Sequence, residues 1–135
     1  YRGALFSFNR RGELMAYEGQ GRMSIGGEDK IRSTGSVMLR ALGSQPIADS
    51  NYLAVFPIDE GTIEIESKTL ENPLCLVGEF VNTEWRTYET FEPVKKNDGF
   101  ISIEIDNDRA TCILIICEKE RESAAARWIE RRLRL

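Results

Sequence analysis

The clearest pattern of apolar and polar residues lies in the last third of the chain. Residues 100–105 alternate, so Ile101, Ile103 and Ile105 share one face of a predicted strand. Residues 110–117 are apolar at almost every position, which is typical of an interior strand with both faces covered. The second of these strands therefore needs a packing partner on each side.

Residues 118–135 can supply one such partner, because their apolar positions recur with the period of an α-helix. Trp128, Ile129 and Leu133 fall on one stripe, and we expect that stripe to pack across the sheet. Acidic residues come first in this segment and arginines come last, an order that complements the helix macrodipole. The arginines therefore have a structural explanation that needs no ligand.

The rest of the chain reads as short strands separated by turns. Alternating or apolar runs predict strands at residues 4–8, 13–18, 22–25, 37–42, 52–58, 62–66, 73–81 and 84–91. We expect the first two runs to form a hairpin and runs 52–58 and 62–66 to form another, with Pro57 favouring an edge position. Gly78 indicates a bulge or a close approach of the backbone. Residues 28–36 and 43–51 are predicted loops, and the second is a candidate binding loop.

No helical pattern interrupts these strands, which argues against a parallel sheet with crossover helices. We therefore predict a mainly β fold in a single domain, residues 1–135. It would be an antiparallel sandwich or partly closed barrel of about eight to ten short strands, with one C-terminal amphipathic helix packed on the sheet. The chain begins at Tyr1 rather than at methionine, so we expect it to be a fragment of a longer chain.

Residues 124–133, with the sequence AAARWIERRL, place a tryptophan in the middle of the predicted C-terminal helix. In this respect the chain resembles the pleckstrin-homology superfold, in which a C-terminal helix closes a β-sheet. The resemblance covers the last strand and the helix. It implies a sheet of seven strands as the alternative fold.

Several kinds of chemistry have no basis in the sequence. The chain contains no histidine, no nucleophile elbow, no zinc-binding pattern and no glycine-rich phosphate loop. We therefore predict a protein that is not an enzyme, with no catalytic residue, no metal site and no cofactor. The three cysteines lie in apolar runs, and Cys112 and Cys117 point to opposite faces of one predicted strand. Unpaired buried thiols favour a reducing compartment, so we expect an intracellular, cytoplasmic protein.

The formal net charge is −4, from 22 acidic and 18 basic residues. This charge disfavours indiscriminate binding to nucleic acid or to an anionic membrane, although it is compatible with a local basic patch. No apolar run is long enough for a membrane-spanning helix.

The candidate contact residues are bases and aromatic residues. They are Arg10, Arg11, Arg22, Lys30, Arg32, Trp85, Arg86, Tyr88, Arg127, Arg131 and Arg134. Arg10 and Arg11 occupy the tip of the first predicted hairpin. Trp85 and Tyr88 fall on opposite faces of a predicted strand, so one of them is expected to face solvent.

The leading hypothesis is a non-catalytic protein-interaction domain that uses an exposed strand edge, the 43–51 loop or the helix face. One alternative is a nucleic-acid-binding domain with an arginine-rich face and Trp85 or Tyr88 as a stacking platform. The other is a self-assembling structural protein, such as a viral matrix, movement or shell component. The first and third hypotheses both imply a protein partner or self-association.

Overall fold

The computed structural model describes residues 5–133, which form one curled antiparallel sheet and a C-terminal helix. The strands are β1 (Leu5–Phe8), β2 (Leu14–Ile25), β3 (Glu28–Ala41), β4 (Tyr52–Pro57), β5 (Gly61–Glu66), β6 (Pro73–Val81), β7 (Glu84–Phe91), β8 (Val94–Lys95), β9 (Phe100–Ile105) and β10 (Ile113–Glu118), and the helix is α1 (Glu122–Leu133). The sheet curls into a half-closed barrel, and the predicted mainly β fold is confirmed. It contains ten strands, rather than the seven that the pleckstrin-homology alternative implies.

β3 is the strand on which the sheet is built. One of its edges pairs with β2 along most of its 14 residues. Its other edge pairs with β5 at residues 31–33 and with β4 at residues 37–41. The sheet therefore forks at β3 into one branch with the order β5, β9, β8 and a second with the order β4, β10, β6, β7.

Gly35 lies at this fork, between the part of β3 that pairs with β5 and the part that pairs with β4. The connection from β4 to β5 passes so close to it that a Cβ atom on Gly35 would overlap the carbonyl group of Glu60. Beside it, the hydroxyl of Thr34 accepts a hydrogen bond from the backbone N–H of Thr62 at 2.8 Å. The fork thus requires a residue without a side chain at this position.

The concave side of the sheet holds the main hydrophobic core. Its members come from both branches and from β2, and the largest fully buried ones include Tyr17, Ile31, Leu39, Leu53, Ile63, Ile65, Leu70, Ile101, Ile103, Leu114 and Ile116. Ile101, Ile103 and Ile105 all point into this core, as their alternation predicts.

β10 is covered on both faces, as its continuous apolar sequence predicts. Leu114 and Ile116 face the concave core, whereas Ile115 and Cys117 face a second core on the convex side. The strand lies between β4 and β6, which gives it hydrogen-bonding partners along both edges.

α1 covers the convex face of the branch that contains β10. Ala125, Ile129 and Leu133 are buried against the strands. Trp128 is half-buried and stacks on Tyr52, with ring centroids 4.4 Å apart and an interplanar angle of 15°. The predicted packing of the helix on the sheet is confirmed.

Two local predictions about the second branch were wrong. Residues 52–58 and 62–66 do not form a hairpin, because β4 and β5 each pair with β3 instead of with each other. Pro57 does not mark an edge strand either, since β4 lies between β3 and β10. Pro57 is the last residue of β4, where the ladder ends.

Two other segments differ from the prediction. Residues 28–36 are not a loop; they belong to β3, and their charged side chains are accommodated by ion pairs on the solvent-facing side. The helix begins at Glu122 rather than at residue 118, because Glu118 ends β10. The carboxylate of Glu118 accepts hydrogen bonds from the backbone N–H groups of Glu71 and Asn72.

Candidate interaction surfaces

The reactive side chains are few and mostly buried. Among residues 5–133, no three His, Cys, Asp or Glu side chains are grouped in a way that could hold a metal ion. Burial raises the pKa of the Cys75 thiol, and it raises the pKa of the Cys117 thiol to about 12. Both thiols therefore stay protonated at neutral pH and are poor nucleophiles.

Arg22, Lys30 and Arg32 lie together near the β2–β3 hairpin, and each of them makes an ion pair. Arg22 lies 3.7 Å from Asp29, and Arg32 lies 3.0 Å from the same carboxylate. Lys30 lies 3.3 Å from Glu66. These pairs neutralise three of the predicted contact residues.

We call the ion pairs around Arg32 the charged network. Hydrogen bonds from Ser24 and then from Arg32 lower the pKa of Asp29. The backbone N–H of Phe100 is the main cause that lowers the pKa of Asp98, which lies 3.5 Å from Arg32. The network runs across the solvent-facing side of the branch that contains β5 and β9.

Glu64 is the central acid of the charged network. It lies 2.7 Å from Lys96 and 3.2 Å from Arg32, on the strand between β3 and β9. The hydrogen bond from Lys96 is the main cause that lowers the pKa of Glu64, and Arg32 lowers it further. The network therefore joins β3 and β5 to the segment that precedes β9.

Glu64→Gln is expected to lower the free energy of unfolding by about 1 kcal/mol at pH 7, because the amide keeps the shape and loses the charge. The folded-state pKa of Glu64 lies below its ordinary value of 4.5. Its stabilising effect is therefore complete above that value and is lost as the pH falls through the folded-state pKa. Urea denaturation at pH 7 and at pH 3 should show a wild-type advantage that shrinks at the lower pH.

Glu104→Gln is the control for this prediction, since Glu104 is exposed on the neighbouring strand and its side chain makes no ion pair within residues 5–133. The control should unfold at nearly the wild-type urea concentration at both pH values. A Glu64→Gln effect of equal size at both pH values would contradict the role given to the charge.

The pairing of β6 with β7 contains a bulge at Gly78, as the sequence predicts, and on β7 this bulge comes after Trp85 and includes Tyr88. Val77 pairs with Glu89 and Gly78 pairs with Thr87, so Tyr88 is the extra residue on β7. Trp85 is buried in the convex core and donates a hydrogen bond to Thr87, at 2.8 Å. Tyr88 is exposed and donates its hydroxyl proton to Glu79, which raises the pKa of the tyrosine.

Arg86 is also exposed on β7, opposite Glu79 on β6. The same acid thus lies near both Arg86 and Tyr88. Trp85 is unavailable for stacking on a base because it is buried. No pattern in the sequence indicates which of the two aromatic residues is covered.

Three strands end the sheet in the described part of the chain: β1, β7 and β8. Residues 19–25 of β2 also extend past β1, but two irregularities interrupt their pairing with β3. β7 carries the bulge and several charged residues, both of which discourage the addition of another strand. β8 has 2 residues and offers almost no edge. β1 carries no charged residue, and the extra residue at the irregularity in its pairing with β2 is Met15, which lies on β2.

All four residues of β1 are exposed, and three of them are large and apolar. Leu5 is 64% exposed on the convex side, and Phe6 and Phe8 lie on the concave side near Tyr17. The rings of Phe6 and Phe8 stack with centroids 5.9 Å apart. The free edge of β1 is therefore a candidate protein-binding surface.

Arg10 and Arg11 occupy the turn after β1, as predicted. The side chain of Asn9 accepts hydrogen bonds from the backbone N–H groups of Arg11 and Glu13. Gly12 has a φ of 79°, which fits the predicted glycine turn. The two arginines are exposed at the hairpin tip and make no ion pair within residues 5–133.

Arg127 and Arg131 are exposed on α1 and likewise make no ion pair among the described residues, whereas Arg134 lies outside those residues. Arg132 lies over the ring of Trp128, 5.1 Å from its centroid. The helix arginines are not brought together with Arg10 and Arg11, nor with the charged network.

A groove on the convex face begins at the C-terminal end of α1. We call it the outer groove; its volume is about 320 Å³ and it is lined by Met38, Arg40, Phe56, Phe80, Ile113, Arg132 and Leu133. Its residues come from five elements that are distant in sequence. Sequence patterns therefore could not have identified it.

The predicted loop at residues 43–51 lines a second cavity, of about 180 Å³, at one end of the half-barrel. Pro46 and Ile47 face Leu14 and Ile25 there, with the ion-paired Lys30 at the margin. The loop contains one short helical turn and is held by the Ser50 hydroxyl, which donates to the carbonyl of Pro46 at 3.1 Å. Its walls are apolar and its margin carries charges of both signs.

No helix within residues 5–133 combines the length and the apolar character needed to cross a bilayer. Comparisons of the chain with models of protein families, with characterised proteins and with solved structures found no match.

Proposed function

We propose that this protein is a non-catalytic protein-interaction domain that self-associates through the free edge of β1. The observation that carries the proposal is the contrast among the three terminal strands within residues 5–133: β7 and β8 are protected against strand addition, and β1 is apolar, exposed and uncharged. A strand added there would extend the sheet and cover apolar side chains.

An antiparallel pair of β1 strands fits the side chains on this edge. A two-fold axis normal to the sheet keeps the concave sides of both copies together, so Phe6 and Phe8 of one copy meet the same aromatic residues of the other. The same axis places the two hairpin tips, with Arg10 and Arg11, at opposite ends of the pair. Like charges are therefore kept apart.

Leu5→Lys and Phe8→Lys are expected to weaken self-association about tenfold or more, because each places a charge in the apolar contact. The measurement is sedimentation equilibrium over a concentration series. Val94→Lys is the matched control, since Val94 is also 64% exposed, on β8. It should leave the association unchanged.

A wild-type chain that remains monomeric up to about 1 mM would contradict the proposal, because specific contacts of this kind form at lower concentrations. An association that Val94→Lys weakens as much as Leu5→Lys would also contradict it. In that case the contact would depend on general surface charge rather than on β1.

The surroundings of the basic and aromatic residues support a protein partner more than nucleic acid. Arg22, Lys30 and Arg32 are paired with acids, and Trp85 is buried. The other predicted contact arginines within residues 5–133 are spread over the hairpin tip, β7 and α1. A pair of β1 edges closes a dimer, so a self-assembling structural protein would need a second contact surface as well.

A further inference from the structure

The outer groove is an apolar surface that no element within residues 5–133 covers. Met38 and Phe56 are opposite each other on β3 and β4, and Ile113 begins the next strand, β10. Met38 is 38% exposed, and Phe56 and Ile113 are half-buried. α1 covers the rows of side chains next to this one, and the groove lies beyond Leu133, the last residue of the helix that the structure describes.

Two arginines border the groove. Arg40 is exposed on β3, two residues after Met38 and on the same side of the strand, and Arg132 comes from the last turn of α1. Neither guanidinium makes an ion pair within residues 5–133. The C-terminal end of α1 contributes roughly half a negative charge, so the two arginines leave the border positive.

Acidic groups are scarce around this surface. Glu18 on β2 is the direct cross-strand neighbour of Met38 on β3, on the side away from Phe56. Glu130 accepts a hydrogen bond from the backbone N–H of Trp85, the cross-strand neighbour of the groove residue Phe80. Neither of these carboxylates forms an ion pair with Arg40 or Arg132 within residues 5–133, so both guanidinium groups remain available to an acidic partner, although the whole chain carries a net charge of −4.

From this combination we propose that the outer groove binds a short, acidic, amphipathic peptide segment of a protein partner. Apolar side chains of the segment would occupy the floor formed by Met38, Phe56 and Ile113, and its carboxylates would pair with Arg40 and Arg132. A methionine in the floor suits such a site because its unbranched side chain adapts to different apolar groups. A volume of about 320 Å³ accommodates a few side chains rather than a whole helix.

The side chains that line the outer groove favour a peptide over nucleic acid as its ligand. Phosphate recognition gains affinity from many cationic contacts, whereas the groove offers two guanidinium groups. Base stacking needs an open aromatic face, and Phe56 and Phe80 are both half-buried. The groove is also independent of β1, so this proposal and the proposed self-association can fail separately.

The test begins with selection from an unbiased library of peptides about twelve residues long, displayed on phage, against the immobilised wild-type chain. The enriched peptides are then synthesised with a fluorescein label, and their affinities are measured by fluorescence polarisation. We expect enriched peptides to combine apolar residues with Asp or Glu. Met38→Glu, Arg40→Glu and Arg132→Glu should each weaken binding about tenfold or more.

Two variants control for a general change of surface charge. Val94→Glu alters an exposed apolar residue on β8, and Arg127→Glu alters an exposed arginine of α1 that does not line the groove. Both should change the affinity less than about twofold. Changing the acids of the peptide to lysine should abolish binding to the wild type and restore binding to Arg132→Glu.

The results separate the alternatives. The absence of enriched peptides, or enriched peptides whose affinity is unaffected by Met38→Glu and Arg132→Glu, would overturn the proposal. A labelled single-stranded oligonucleotide that binds the wild type, competes with the peptide and is lost in Arg132→Glu would overturn it in favour of nucleic acid. Urea denaturation of each variant confirms that the fold is intact; Arg40→Glu, at an exposed position, gives a second test if Met38→Glu is unstable.

Discussion

Ile129→Ala is expected to lower the free energy of unfolding by about 2 to 5 kcal/mol, the range for removing a buried aliphatic side chain without collapse of the site. Ile129 is fully buried between α1 and the convex face of the sheet, so its loss leaves a cavity there. Because Trp128 stacks on Tyr52 beside Ile129, the fluorescence emission of Trp128 should shift toward that of a solvent-exposed tryptophan. Urea denaturation and the emission spectrum measure the two effects.

Arg131→Ala is the control for this change, since Arg131 is exposed on the same helix. Its effect should stay within about 0.5 kcal/mol, as for most surface substitutions. If Ile129→Ala also fell within that range, α1 would not be a packed part of the domain, and the outer groove would lose the wall that Leu133 and Arg132 provide.

Gly35→Val is expected to destabilise the fold by about 3 kcal/mol or more, because the new side chain would overlap backbone atoms that cannot rotate away. The carbonyl of Glu60 occupies the space where the Cβ atom would lie. The substitution would therefore push the β4–β5 connection off β3 and strain both branches at once. The change in the urea midpoint, with the slope of the transition unchanged, measures the effect.

The matched control is Arg40→Val, which introduces the same side chain at an exposed position of the same strand. Valine favours strands, so this variant should be as stable as the wild type within about 0.5 kcal/mol. Equal stability of Gly35→Val and Arg40→Val would show that the β4–β5 connection does not press against β3.

The sequence predicts an element well when the apolar pattern of that element is visible within its own residues. β9 alternates over its whole length, and β10 is apolar on both faces, so each pattern is sufficient on its own. The stripe of α1 repeats over three turns. Local periodicity decides these elements because their burial does not depend on which strand lies next to them.

The N-terminal half of β3 was not predicted, because Ile31 is the one large apolar residue in residues 28–36. The charged residues of this segment read as a loop until their partners are known, and those partners, such as Glu64, are 32 residues away. Likewise, two adjacent strands are expected to pair with each other, whereas β4 and β5 pair with different parts of β3 on either side of the close backbone contact at Gly35.

Interaction surfaces were harder to predict than the fold. An alternating run shows that Leu5 and Phe6 point to opposite sides, but it does not show that β1 ends the sheet and leaves both exposed. Most of the predicted contact residues are arginines, and three of the bases turn out to stabilise the fold through ion pairs. The outer groove depends on side chains from five elements, so it exists only once the chain has folded.

The position of β10 between β4 and β6 has a consequence for synthesis on the ribosome. The β6–β7 hairpin is connected to the rest of the sheet only through β10, which is made about 40 residues after β6 begins. Until residues 113–118 emerge, the nascent chain therefore exposes the unpaired edges of both β4 and β6. Chaperones that recognise extended apolar segments have their best opportunity to bind during that interval.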